Sequence, residues 1–214
     1  MELTDVLTER RTVRRFADRN IPDDVLRRVL AAGLAMPHGG NTYAWRGVVL
    51  RRPRETHPRW DAIFESVMRQ EYLAEAAVLV VWTVNPRWWV EHYGGNLQRL
   101  LDLGLVEADR AGTLLDRMST APDPDVMLPV LIGEAMMAVG GVLLAGIDAG
   151  LGTALSGCNP ASLSAALDLP KGVRIAPAGV LALGYPADEG GATRAPKPPL
   201  DEVFYDGAWD VGLR

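Results

Sequence analysis

Two stretches concentrate side chains able to do chemistry. The first is Arg10-Arg11-Thr12-Val13-Arg14-Arg15-Phe16, with four arginines in six residues around a hydroxyl. Guanidinium forks match the geometry of phosphate oxygens, and a threonine hydroxyl adds a further donor. Each well-made charge-assisted bond there is worth about 1.5–3 kcal/mol. The same residues would also suit a solvated basic turn. The second stretch is Pro37-His38-Gly39-Gly40-Asn41-Thr42-Tyr43-Ala44-Trp45. Its glycines and asparagine permit unusual dihedrals and let backbone approach a ligand closely. Its histidine and tyrosine can exchange protons. The single cysteine, Cys158, has no evident activating base and reads as a small buried residue. One cysteine and three scattered histidines (His38, His57 and His92) build no zinc site.

The element that must position these stretches is Leu128–Gly157. From Leu131 to Leu155 only Glu134 and Asp148 are charged. A helix apolar on all sides is buried on all sides, whether in one large core, an oligomer interface or a membrane. The two charges and Gly133, Gly140, Gly141, Gly146 and Gly150 argue against lipid, and a 23.2 kDa chain has little core to surround such a helix. The expectation is the centre of a homodimer, with the core helix of a monomer as the alternative. Leu151-Gly152 stops the helix, and Thr153–Gly157 follows as a strand edge.

Around it, Leu3, Val6 and Leu7 predict a short first helix. Ile21-Pro22-Asp23-Asp24 starts a second, carried by Val25, Leu26, Val29, Leu30 and Leu34 to Met36-Pro37. A short strand is expected over Gly47–Leu50, and an amphipathic helix over His57–Tyr72. The continuous run Ala77–Val84 predicts a central strand covered on both faces. Pro86–Met118 reads as mostly helical with a break at Gly94-Gly95, an excursion (86–120) suited to a lid or pocket wall. Asn159-Pro160 opens a short helix over Ala161–Leu167, and Val173–Leu183 reads as another apolar strand. The polar, proline-rich arm 187–214 carries Arg194, Lys197 and the aromatic anchors Phe204, Tyr205 and Trp209.

A net charge of −5 and a pI near 5.2 do not suit bulk binding to nucleic acid. The 214 residues suit one domain, 1–214, and the lone cysteine requires no oxidising compartment. The acidic N-terminal helix does not read as a signal peptide, so a cytoplasmic location and no membrane association are expected. No Gly-x-Gly-x-x-Gly follows a strand, so no separate nicotinamide fold is evident.

The order of these features resembles the nitroreductase-like flavoprotein family. Arg10–Phe16 is similar to its Arg-Arg-Ser turn, and Pro37–Trp45 to its Pro-Ser-x-x-Asn-x-Gln-Pro-Trp loop. Ala145–Thr153 resembles its Gly-Leu-Gly-Thr helix end, Pro160–Pro170 the helix before its Leu-x-Leu-Pro turn, Gly179–Pro186 its Ala-Leu-Gly-Tyr-Pro strand, and Lys197–Val203 its closing Lys-Pro-Leu segment. The resemblance spans roughly residues 1–85 and 128–210. It departs at His38, Tyr43 and Ala44, where the family commonly has Ser, Gln and Pro.

The resemblance implies an α+β fold with a central, mostly antiparallel sheet flanked by helices. It implies an intertwined homodimer with FMN in two interface sites. Carried over residue by residue, Arg10 and Thr12 would hold the FMN phosphate, with Arg11 contributing nearby. Arg14 would lie toward the flavin pyrimidine edge. Pro37, His38, Gly39 and Asn41 would come from the other subunit, and Ser156 and Gly157 would present backbone N–H groups near flavin O4 and N5. Lys197, with Arg194, would close on the phosphate. His38, Tyr43 and Gly157 are the candidates for work at the reacting atoms. The implied activity is ping-pong hydride transfer through FMN, with NADH or NADPH as donor and a nitroaromatic, quinone or dedicated metabolite as acceptor. Two alternatives stay open: an oxidase that desaturates a small or peptide-like molecule with oxygen as acceptor, and a flavin-binding or flavin-consuming subunit without reductase turnover.

Overall fold

The computed structural model describes residues 1–119, 123–187 and 196–212. The chain runs α1 (Leu3–Glu9), α2 (Asp23–Ala31), β1 (Trp45–Arg51), α3 (Pro53–Thr56), α4 (Trp60–Ser66), α5 (Glu71–Glu75) and β2 (Val78–Val84). It continues through α6 (Pro86–Asp102), α7 (Ala108–Ser119), α8 (Leu128–Asp148), β3 (Gly152–Ser156), α9 (Pro160–Ala166) and β4 (Arg174–Gly184). The four strands form one sheet in the order β1-β2-β4-β3, every neighbouring pair antiparallel.

Every residue of β2 is buried, and the side-chain alternation of a strand explains how. Val78, Val80, Trp82 and Val84 pack with α2 and α8 on one face. Leu79 and Val81 pack with α4 and α9 on the other. A strand covered on both sides is apolar nearly throughout, which is why this run does not alternate; the exception, Thr83, is buried with its hydroxyl donating to the Arg46 carbonyl at 3.2 Å.

The helix α8 buries Leu131, Glu134, Ala135, Ala138, Val139, Val142 and Gly146 against its own chain. These lie at helical three-and-four spacing, so they form one stripe. The opposite stripe faces outward: Val130 is 50% exposed and Met137 43% exposed. A side chain added at Gly133 or Gly140 would meet nothing among the described residues. By length and composition, 124–148 could cross a membrane, yet one face of it is packed on the sheet and carries a buried carboxylate.

Two expectations are corrected. His57–Tyr72 is not one helix. The chain breaks between α4 and α5, where Met68 and Arg69 take left-handed dihedrals (φ 59° and 50°), and Val67 is wholly buried at the turn. The supposed break at Gly94-Gly95 is absent: α6 runs straight through it. Gly94 lies beside Leu115 of α7 and a Cβ on Gly95 would meet nothing among the described residues, so neither glycine interrupts the helix. The first helix has formed as expected, but only Val6 of its apolar residues is buried.

Candidate functional site

The arginine stretch lies along the sheet edge, joined to it by two isolated bridges. Thr12 bridges Thr153 of β3 in parallel, and the Val13 N–H donates to the Thr153 carbonyl at 2.9 Å. Four residues on, Phe16 bridges Pro186. The approach is close: a Cβ on Gly152 would lie 2.9 Å from the Val13 side chain, so glycine is required there. Val13 and Phe16 are buried, which drives Arg10, Arg14 and Arg15 outward. Thr12 and Arg11 are half-buried. Arg11 and Val13 line a cleft of about 170 Å³ with Ile147, Gly150, Leu151, Gly152 and Thr153. Three residues along β3 from Thr153, about 10 Å at strand rise, the edge ends in Ser156 and Gly157.

A kink in β4 holds that end. Val81 pairs with Val180 but Thr83 pairs with Ile175, so Ala176–Gly179 bulge out of the ladder. The bulged Pro177 carbonyl accepts the Cys158 N–H at 3.2 Å. Bulges commonly serve to re-aim residues beside a site. Ser156 is buried and donates its hydroxyl to the Gly157 carbonyl at 2.9 Å. Burial pushes the Cys158 thiol up from its ordinary value, opposed by a backbone hydrogen bond at Gly179, which agrees with an inert cysteine.

The second stretch lies elsewhere, against α6 and α8. The Gly39 N–H donates to Glu134 Oε1 at 2.7 Å. Thr42 Oγ1 donates to the Gly39 carbonyl at 3.1 Å, and Trp88 Nε1 to the Thr42 carbonyl at 3.2 Å. Asn96 Nδ2 donates to the Asn41 carbonyl at 3.1 Å. Gly40 sits at φ +61°, and a Cβ there would lie 2.5 Å from the Tyr93 ring, so no other residue fits. His38 and Tyr43 face each other with ring centroids 3.8 Å apart. His38 Nδ1 meets the Met36 carbonyl at 3.0 Å, and the Tyr43 hydroxyl donates to the Leu34 carbonyl at 3.3 Å. His38 Nε2 and Glu134 Oε2 are buried with no partner. Pro37 is exposed, and so is Lys197 in the arm. Arg194 lies outside the described residues.

Within one chain the structure therefore groups Arg10, Arg11, Thr12, Arg14, Ser156 and Gly157 along one edge, and Pro37, His38, Gly39, Asn41 and Tyr43 in one loop, and keeps the groups apart. The loop is tied to α8 at Glu134, whereas the edge meets α8 at Gly146, whose added Cβ would lie 3.2 Å from Thr153. Twelve residues of helix separate these points, about 18 Å. Sequence reasoning missed Glu134 as a site residue, reading its charge only as an argument against lipid. It also missed Gln70, which donates to Ser156 Oγ at 2.7 Å. A lone carboxylate in an apolar helix was the available signal for the first. Nothing in the sequence points to the second, because it depends on the break between α4 and α5.

An antiparallel sheet packed on a long apolar helix makes this an α+β fold, and comparison with known proteins gives its family. The chain belongs to the nitroreductase family, whose model matches residues 7–185. A Thermus thermophilus protein named NADH dehydrogenase is 30% identical over 198 residues, covering 91% of each chain. Among solved structures, a protein assigned as an NAD(P)H:FMN oxidoreductase from Staphylococcus epidermidis superposes with a TM-score of 0.78 at 16% identity, covering 96% of this chain and 95% of that one. A structure described as a nitroreductase in complex with FMN from Exiguobacterium sibiricum gives 0.76 at 14% identity, covering 95% and 96%.

Proposed function

We propose that this chain is an FMN-dependent oxidoreductase. It works as a homodimer with two interface sites, drawing on NADH or NADPH and passing electrons to a small planar acceptor such as a nitroaromatic or quinone. The observation that carries the reading is the edge formed by the arginine stretch and β3. It places cations and a hydroxyl near one end and the Ser156–Gly157 turn at the other. The residues fit the cofactor. A phosphomonoester needs guanidinium and hydroxyl donors, and Arg10, Arg11 and Thr12 supply them. A heteroaromatic ring edge needs backbone donors, and the Gly157 N–H, which makes no hydrogen bond among the described residues, is one. Two buried polar atoms left without partners, His38 Nε2 and Glu134 Oε2, support a ligand against the loop.

FMN, when bound, supplies hydride transfer at its N5. The rest is the work of this chain. Arg10, Arg11 and Thr12 would hold the phosphate, with Lys197 of the arm as a further cation. Arg14 would face the pyrimidine edge, where a cation favours the negative charge of the reduced cofactor. Pro37, Gly39 and Asn41 of a second protomer would flank the ring, and α6 would wall the acceptor pocket. The separation of the two groups along α8, with the outward stripe of Val130, Gly133 and Met137, supports their meeting across a dimer.

The His38–Tyr43 pair supports a second reading, in which a small substrate is oxidised and oxygen accepts the electrons, because such a reaction needs a proton acceptor beside the substrate. One measurement separates the two: the absorbance spectrum of the purified protein, followed by anaerobic NADH and then NADPH. Flavin bands that bleach with either donor are expected. Flavin bands that neither donor bleaches would overturn the reductase in favour of the oxidase. A colourless protein that takes up no FMN would overturn both.

A further inference from the structure

The break between α4 and α5 brings a run of hydrogen bonds to the Ser156–Gly157 turn. The Tyr72 hydroxyl donates to Gln70 Oε1 at 2.6 Å. Gln70 Nε2 donates to Ser156 Oγ at 2.7 Å and to the Val67 carbonyl at 3.1 Å. The Ser156 hydroxyl, its oxygen already accepting from the amide, donates onward to the Gly157 carbonyl at 2.9 Å. The donors point one way along the whole chain: Tyr72, Gln70, Ser156, Gly157. Beside it the Asn159 N–H donates to the Ser66 carbonyl at 2.7 Å, a second tie between the same two segments.

The consequence falls on one peptide. The unit joining Gly157 and Cys158 is held at both ends, its carbonyl by Ser156 and its N–H by the Pro177 carbonyl of the β4 bulge. The peptide before it, whose N–H is that of Gly157, is held between this clamp and Ser156, which pairs with Val180 in the sheet. Glycine without such a clamp has wide dihedral freedom. Ser156 is buried, so a missing Gln70 amide would not be replaced readily by water. A hydrogen-bonded side-chain chain in a low-dielectric setting holds its geometry better than separate bonds do.

We infer that Gln70 and Tyr72 are positioning residues for the redox site: through Ser156 they set the direction of the Gly157 N–H toward the ring of the cofactor. Neither touches the cofactor. The inference rests on the FMN reading above, in which Ser156 and Gly157 border the ring.

The test compares wild type, Gln70→Leu, Tyr72→Phe, Ser156→Ala and the Gln70→Leu/Ser156→Ala double variant as FMN-loaded dimers. Losing one such bond should lower kcat about tenfold in Gln70→Leu and about threefold in Tyr72→Phe, with KM for the nicotinamide nearly unchanged. The midpoint potential and visible bands of the bound flavin should move with kcat, which a purely structural role would leave still. The double variant should lose little more than either single one, because both cut the same chain. If Gln70→Leu lowers only the melting temperature, while kcat, potential and spectrum stay at wild-type values, the positioning role is overturned. Should Gln70→Leu fail to fold, Tyr72→Phe decides alone, and wild-type kcat and spectrum there overturn the role. Wild-type protein that binds no FMN would instead overturn the reading of function.

Discussion

At the scale of single residues, the arginine stretch and the histidine loop make separate and separable contributions. Arg10 is exposed on an edge whose direction is fixed by buried Val13 and Phe16. Arg10→Ala should leave the fold intact and weaken FMN by one charge-assisted bond, about 1.5–3 kcal/mol or roughly 10- to 150-fold in Kd. Fluorescence titration of apoprotein with FMN measures it, and an unchanged Kd would remove Arg10 from the phosphate site. His38 is different, since its buried Nε2 has no partner and its ring lies against Tyr43. An imidazole in that position can hand on a proton. His38→Ala should lower turnover with FMN still bound, read by steady-state kinetics on the loaded protein. If turnover is unchanged, His38 only packs.

The elements show which parts of this protein its sequence discloses. The strand β2 and the helix α8 are legible because each is a long, nearly uninterrupted apolar run, β2 from burial on both faces and α8 from one buried stripe and one outward apolar stripe. The strand over Arg174–Gly184 and the capped helix from Pro160 are legible from apolar runs bounded by turn residues. The region 57–72 is not, because its break depends on Met68 and Arg69 adopting left-handed dihedrals that neither residue type advertises. The two glycines of α6 mislead for the opposite reason: packing against α7 overrides their weak propensity. In the site, the cation edge could be read from spacing and Glu134 flagged as a lone carboxylate in an apolar helix, but their partners could not, since Glu134 and Gln70 act across 95 and 86 residues of chain respectively. The outward stripe of α8 carries its own prediction. Met137→Asp places a charge where the proposed partner helix packs, and burying an unpaired charge costs several kcal/mol. Dimer dissociation should rise more than about 100-fold, read by sedimentation at micromolar protein. A variant that sediments as wild type would show that this stripe is not the interface.

For the whole molecule, the arginine edge meets α8 near its C-terminal end at Gly146 and the histidine loop meets it nearer its start at Glu134, and the proposed function makes the two one site. That arrangement fits the exposed arm, where Phe204 and Trp209 stand 58% and 85% exposed beside a tilted Tyr205–Trp209 pair, with little cover from the other described residues. In the proposed dimer both the arm and the outward stripe gain cover from the second copy, and neither half-site is complete before assembly. Activity should therefore fall on dilution along the same curve as the dimer fraction, with added FMN holding the dimer together by mass action.

In the proposed dimer, the helix whose two anchor points lie about 18 Å apart along its axis would make each protomer the donor of one half to each of two sites. Two crippled chains can then repair each other. An Arg10→Ala homodimer has two faulty phosphate ends, and a His38→Ala homodimer two faulty loops. Unfolded together and refolded at equal amounts, they form mixed dimers in which both faults fall on one site and the other site is made wholly of native parts. Half the dimers are mixed and each has one good site, so about a quarter of native activity should return from two preparations that have little on their own. A chain that built its whole site from itself would return none.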